Sequence, residues 1–163
     1  MKGSIHIGTS GWHYKHWKGL YYPSTLKPGQ WLHYISQDFD CTEINNSFYR
    51  VPTVEAVQQW IAQTGRRFRF CPKLNRMVTH FKKLHDPQPL LQQFFDVFNG
   101  MAHRMGPVLV QLPRQVTFHA GVAQQFYEAL AAWPYRFSME VRDHSWLEKE
   151  SLALMERYGV GWV

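Results

Sequence analysis

The sequence predicts an α/β fold with parallel strands, of the TIM-barrel-like (β/α) type but incomplete, with about five βα units and the opening of a sixth strand. Three observations predict it. Short β-like runs alternate with stretches of helical period along the whole chain. One face of each run is apolar, as a sheet covered by helices requires. The chain has 163 residues, whereas a closed eight-unit barrel needs about 250, so either the sheet is open or the sequence is the N-terminal part of a longer barrel.

The first strand is expected over 4–9, followed by an aromatic connection over 10–22. Pro28 and Gly29 open a helix whose Trp31, Leu32, Ile35 and Phe39 recur at helical spacing. The second strand runs from Cys41 to about Ser47, and its helix starts at Thr53, a good N-cap, buries Val54, Val57 and Ile61, and stops at Gly65. The third strand, 67–73, leads through 77–84 into a helix bearing Leu91, Phe94, Phe98 and Met101. The fourth, 107–112, ends at Pro113 before a helix with Val122, Phe126, Leu130 and Trp133. The fifth, 135–142, precedes a helix with Leu152, Met155 and Tyr158 that Gly159 ends, and 161–163 open the sixth. No repeat, low-complexity tract or charge block marks a second domain, so 1–163 reads as one domain.

Composition narrows the function classes. An aromatic share of 16% excludes disorder as the main state. No apolar run nears the roughly 18 residues a membrane span needs, and the start, Met1-Lys2-Gly3-Ser4, lacks the pattern of a signal peptide, so a cytoplasmic protein without membrane attachment is expected. The net charge of +6 suits anionic ligands or nucleic acid. Cys41 and Cys71 fit neither a zinc pattern nor a disulfide framework. With parallel strands, Cys41 starts its strand and Cys71 lies near the end of its own, which predicts buried, reduced thiols at opposite ends of the sheet.

Side chains alternate faces along a strand. Sorted this way, the face away from the helices collects Glu43, Asn45, Lys73, Gln111, Glu140 and Arg142, mostly toward the C-terminal strand ends, where ligand and catalytic groups gather in such sheets. One reading is a polar site for a small ligand. The other is a closed ion-pair network, since the two acids balance the two bases.

The runs Gly8-Thr9-Ser10-Gly11-Trp12, Trp17-Lys18-Gly19, Glu43-Ile44-Asn45-Asn46-Ser47-Phe48-Tyr49, Thr79-His80, the segment 106–113 and Glu140-Val141-Arg142-Asp143-His144-Ser145-Trp146 occur in this order. Together they resemble the YecE-like family, known as domain of unknown function 72, over the whole chain. The resemblance implies a TIM-barrel-like fold with these motifs near the top of the strands, centres the family's histidines on His80 and His144, and implies no particular reaction. It also marks the usual sequence beyond the sixth strand as absent.

Three functions compete. In an enzyme acting on a small polar or anionic substrate, phosphorylated or sugar-like, Glu43 and Glu140 divide acid and base roles while Lys73 and Arg142 hold an anionic group. Gly8, Ser10, Trp12, Asn45, His80, Gln111 and His144 complete the expected binding set. In a metal site, His13, His16, His80, His85, His119 and His144 are available on the connections, but their spacing favours solvated or stacked loop residues; no metal ligand and no cofactor is assigned. In a nucleic-acid binder, Trp12, Tyr14, Trp17, Tyr21 and Tyr22 interleave with Lys15, His16 and Lys18, near Phe81-Lys82-Lys83. The bland alternative makes these aromatics a lid over the barrel mouth. An open barrel also leaves strand edges through which copies of the chain are expected to associate.

Overall fold

The computed structural model describes residues 4–163. Its strands and helices alternate strictly in order: β1 (Gly8–Thr9), α1 (Trp31–Asp38), β2 (Cys41–Ile44), α2 (Val54–Gln63), β3 (Arg69–Pro72), α3 (Gln88–Asp96), β4 (Val108–Gln111), α4 (Ala120–Ala131), β5 (Phe137–Glu140), α5 (Lys149–Arg157) and β6 (Gly161–Trp162). The residues Met1, Lys2 and Gly3, part of the start read above as leaderless, lie outside the described residues. No helix among the described residues is long and apolar enough to cross a membrane.

All the pairings between strands are parallel, and they form two three-stranded sheets, ordered β1-β2-β3 and β4-β5-β6. Isolated pairs, Phe70 with Met105 and Lys73 with Leu109, link β3 to β4. No closed barrel forms among the described residues. The alternation predicted from sequence is present: Thr42, Ile44, Phe70, Val108, Val110, Phe137 and Met139 are buried beneath the helices, while their neighbours on the opposite face are half-exposed. The buried face packs on Leu32, Ile35, Val57, Phe94, Phe95, Phe126 and Met155 in a continuous apolar cluster that spans both sheets. Each such side chain contributes about 1.5–3 kcal/mol when fully buried.

Local signals set the helix ends. Thr53 Oγ1 accepts from the Ala56 N–H as the N-cap of α2. Gly159 has φ +63° and follows α5, a conformation a side chain would resist. Other expectations give way to packing. Val54 and Leu152 are exposed, because only one stripe of α2 and of α5 meets the sheet. The first strand is two residues rather than six, with Ile7 held next to it by hydrogen bonds to Asp40. Asn45 and Ser47 are not strand residues: after Ile44 the chain turns into a 3-10 segment, Asn45–Phe48, as Asn-Asn-Ser favours.

The thiols also depart from expectation. Register pairs Cys41 with Arg69 and Cys71 with Glu43, so the two cysteines lie diagonally on the inner face of adjacent strands rather than at opposite ends of the sheet. Both are free and half-exposed. Burial, then the neighbouring Cys41 and Glu43, pushes the Cys71 thiol up to about 12. Two glycines make room for the pair. A Cβ on Gly106 would lie 2.5 Å from Cys71 Sγ, and one on Gly8 would strike the backbone oxygen of Cys41. Gly106→Ala is therefore expected to cost about 1–2 kcal/mol, and Cys71→Ala to restore most of that loss in the double variant. Gly8→Ala is not expected to be rescued by Cys41→Ala, since the obstacle there is backbone. Chemical denaturation of the single and double variants measures both couplings.

A buried cation braces the base of the sheet. Arg104, 2% exposed, donates from Nε to Phe68 O at 3.3 Å, from Nη1 to Ile61 O at 3.1 Å and from Nη2 to Gly65 O at 2.7 Å. Nη2 also bonds the Thr64 hydroxyl. It thereby occupies carbonyls at the open C-terminal end of α2 and at the entry to β3.

Candidate functional site

At the C-terminal end of β2, Glu43 points to the face away from the helices and is half-exposed. Ser10 Oγ reaches its Oε2 at 3.5 Å, and Asn45 Nδ2 donates to Ser10 Oγ at 2.9 Å and to Ser10 O at 3.2 Å. The loop after β1 is a tight turn, with Gly11 at φ +94° and the Tyr14 hydroxyl bonded to Ser10 O. A cavity of about 210 Å³ opens here, lined by Gly11, Trp12, His13, Tyr14, Glu43 and the Asn45-Asn46 turn.

The neighbouring strand ends carry the remaining polar groups. Gln111, ending β4, donates from Nε2 to Glu140 Oε2 at 2.5 Å across the β4–β5 register. Arg142 holds the other oxygen, Oε1, with Nη2 at 2.9 Å and Nε at 3.2 Å. Lys73 follows β3, with Nζ 5.1 Å from the centre of the Phe48 ring. The same ring meets His80 in an edge-on contact at 4.9 Å, and His80 Nδ1 lies 2.8 Å from Thr79 Oγ1.

The ion-pair network that the sequence allowed does not close. Among the described residues the only ion pair is Arg142 with Glu140. Glu43 has no cation within bonding distance, and Lys73 rests on an aromatic face instead of a carboxylate. The two acids consequently differ in charge behaviour. Burial raises the Glu43 carboxyl; the Lys73 charge and the Ser10 hydroxyl oppose, the Glu140 charge adds, and the net position is above the ordinary value. Burial also works against ionised Glu140, but hydrogen bonds from Gln111 and Arg142, with the charges of Arg142 and Lys73, outweigh it and hold that carboxyl below its ordinary value. His80 is lowered by burial first and then by Lys73, Arg142 and Arg76. The geometry forms three groups at the strand ends: Glu43 with Ser10 and Asn45 at the cavity, Lys73 and His80 around Phe48, and Glu140 with Gln111 and Arg142. Lys73, His80, Glu140 and Arg142 do not line the cavity at Glu43.

Other expected residues lie apart. Gly8 sits lower on β1, opposite Cys41, where its lack of a side chain permits close strand approach. Trp12 is 6% exposed, its ring against Trp60 and its carbonyl accepting from the Tyr22 hydroxyl, so it serves the core as well as the cavity wall. His144 is exposed and no hydrogen bond ties it to the crevice. The aromatic segment packs inward: Tyr22 stacks on Trp31 at 4.8 Å, and Trp17 contacts both Tyr21 and Tyr22. Its rings pack on one another and on Trp31 and Tyr34 of α1.

Sequence reasoning missed the groups that position Lys73. Ser47 is fully buried, and its hydroxyl, with one proton to donate, lies between two carbonyl acceptors, Ile44 O at 2.6 Å and Lys73 O at 2.7 Å. Asn75 Nδ2 donates to Ser47 O at 3.0 Å, and Asn75 Oδ1 accepts from the Met77 N–H. Phe48 supplies the face under Lys73. The Asn-Asn-Ser sequence after Ile44 is the available signal, since such residues leave a strand for a turn and can bond nearby backbone.

Comparison with known proteins bears on family and fold. A family described as "Protein of unknown function DUF72" matches residues 6–163. The UPF0759 protein YecE of Escherichia coli strain K12 is 29% identical over 147 residues, covering 89% of this chain and 51% of that protein. A DUF72 family protein from Thermotoga maritima MSB8, solved by crystallography, superposes with a TM-score of 0.82 at 29% identity over 96% of this chain and 63% of that one. Another, from Enterococcus faecalis V583, gives 0.73 at 15% identity over 96% and 61%, which bears on the fold alone. The chain thus spans about half the length of the curated relative it matches. With the family matched from residue 6 to the last residue, the chain belongs to the DUF72 family.

Proposed function

We propose that the strand-end crevice binds a small polar or anionic molecule, of the phosphorylated or sugar-like class, and performs proton transfer on it. Glu43 acts as the protonated acid and Glu140 as the ionised base. The observation that carries this reading is the unlike holding of the two carboxyls. Glu43 has no cation within bonding distance among the described residues, whereas Gln111 and Arg142 bond both oxygens of Glu140, which displaces the two in opposite directions, the pattern by which two chemically identical groups take different roles. Lys73, in no ion pair among the described residues, and Arg142, already paired with Glu140, supply positive charge for an anionic group. His80, kept toward its neutral form by burial and nearby cations, is suited to donate or accept a hydrogen bond without adding charge.

The architecture supporting this reading is an open run of barrel staves. Taken as consecutive staves of one domain, β1 to β6 bring their C-terminal ends to a common rim, and the two bridges between β3 and β4 support that continuity. The packing of Tyr21 and Tyr22 on α1 removes rings from a stacking surface and favours a small ligand over a nucleic-acid strand.

Calorimetric titration with glucose 6-phosphate, and with glucose as the uncharged control, tests the binding half. Saturable binding of the phosphate ester is expected, weakened about tenfold by Lys73→Met and by Arg142→Met. Unchanged affinity in both variants, or no saturation by roughly 10 mM, contradicts it.

A further inference from the structure

A second cavity, also of about 210 Å³, lies on the outer part of the same rim, and none of its lining residues belongs to the crevice. Its floor is apolar: Leu84, Val116, Ala123 and Trp146 are all buried. The floor is also locked. The Trp146 indole N–H donates to Val116 O at 2.8 Å, and the Phe118 ring packs edge-on against Trp146 at 5.2 Å. The Phe118 N–H donates to Ser145 Oγ at 2.8 Å, and Asp143 Oδ1 accepts from the Ser145 N–H at 3.0 Å. These contacts join the connections after β4 and β5, so the cavity is formed before any ligand arrives.

The rim is chemically different from the floor. Lys83, His85, Thr117 and His119 border the opening with hydrogen-bond donors, and no carboxylate lines it. None of these basic groups is in an ion pair among the described residues. The backbone of the segment is bent for this placement: Lys83, Leu84 and Asp86 have φ of 48°, 73° and 44°, the left-handed region that non-glycine residues avoid. That bend buries Leu84 in the floor while Lys83 and His85 remain exposed at the mouth. A metal is a poor match, because no three His, Cys, Asp or Glu among the described residues converge to hold one.

We infer that this cavity is a second binding site, for a small anion carrying one apolar ring or branched aliphatic group, with the apolar body on Trp146 and Leu84 and the charge at Lys83 and His119. Its volume is below the roughly 300 Å³ at which drug-sized ligands begin to fit, which limits the body to about one ring. An apolar floor under convergent polar donors is the general design of a small-molecule pocket.

Phenyl phosphate is the probe, titrated against the chain and followed by the proton resonances of the His85 and His119 rings and by calorimetry. Saturable binding at about 1 mM or tighter is expected, with inorganic phosphate and benzyl alcohol each at least about tenfold weaker. Lys83→Asn, which tolerates the left-handed backbone, and His119→Gln are each expected to weaken phenyl phosphate about tenfold, while Arg66→Met, at an exposed position outside both cavities, leaves it unchanged. Benzyl alcohol binding as tightly as phenyl phosphate overturns the proposal, as does the absence of saturation by roughly 10 mM. Affinity lost in Lys73→Met but kept in Lys83→Asn and His119→Gln overturns it as well, by placing the probe in the crevice. Thermal melts of the variants that match the parent establish that lost binding is not lost folding.

Discussion

Arg104→Met is expected to lower the stability of the folded chain by about 3 kcal/mol, the scale for leaving several partners of a buried charged donor unsatisfied. Methionine retains the aliphatic stem and part of the contact with Phe70, over whose ring the guanidinium lies at 5.3 Å. It cannot replace the donors to Ile61, Gly65 and Phe68. In a chain of this size such a loss lowers Tm by about 6–12 °C. Arg66→Met, at an exposed position nearby, is expected within about 0.5 kcal/mol of the parent. Equal melting of the two variants would show that the hydrogen bonds of Arg104 do not brace α2 and β3. The effect extends to function because β3 leads directly into Lys73.

The second large effect concerns the carboxyl pair. Once a substrate is turned over, Glu43→Gln and Glu140→Gln are each expected to reduce turnover about 100-fold or more, the usual range for a lost general acid or base. Unchanged turnover in both would remove the acid–base assignment. The same variants have opposite consequences for stability. Glu140 has a lowered folded pKa, so its stabilisation is present above its unfolded value, about pH 4.3, and is lost as pH falls through the lowered one. Glu43 has a raised folded pKa, so its contribution is fully present below about pH 4.3 and is lost as pH rises through the raised value. At neutral pH Glu140→Gln is therefore expected to destabilise and Glu43→Gln to stabilise. Both differences shrink in acid, and denaturation series at two pH values measure them.

Much of this arrangement is legible in the chain because its causes are local. Period-two alternation sorts Thr42 and Ile44 from Cys41 and Glu43 without reference to any other strand, and that sorting places Glu43 and Glu140 on the same face. Thr53 and Gly159 mark helix ends through backbone chemistry that two or three residues determine. What the sequence hides is register and long-range partnership. Nothing in the run 41–47 says that Cys71 will pair beside Glu43, which is why the thiols become neighbours. Arg104 looks like any surface arginine until three carbonyls around it are brought together by folding. The aromatic segment 12–22 has the composition of a stacking surface, yet the proximity of α1 gives Tyr22 and Trp31 each other as partners. The lack of a closed Glu–Lys network likewise depends on Phe48, whose ring captures Lys73 only because the chain turns at Asn45.

The most direct measurement is a carbon-13 NMR titration of the glutamate side-chain carboxyls, assigned with Glu43→Gln and Glu140→Gln. The expected result is a midpoint for Glu43 above the ordinary glutamate value of about 4.3 and one for Glu140 below it, with removal of either charge shifting the other's midpoint. Two midpoints together at the ordinary value, or the reverse order, would contradict a shared crevice that divides the carboxyls into acid and base.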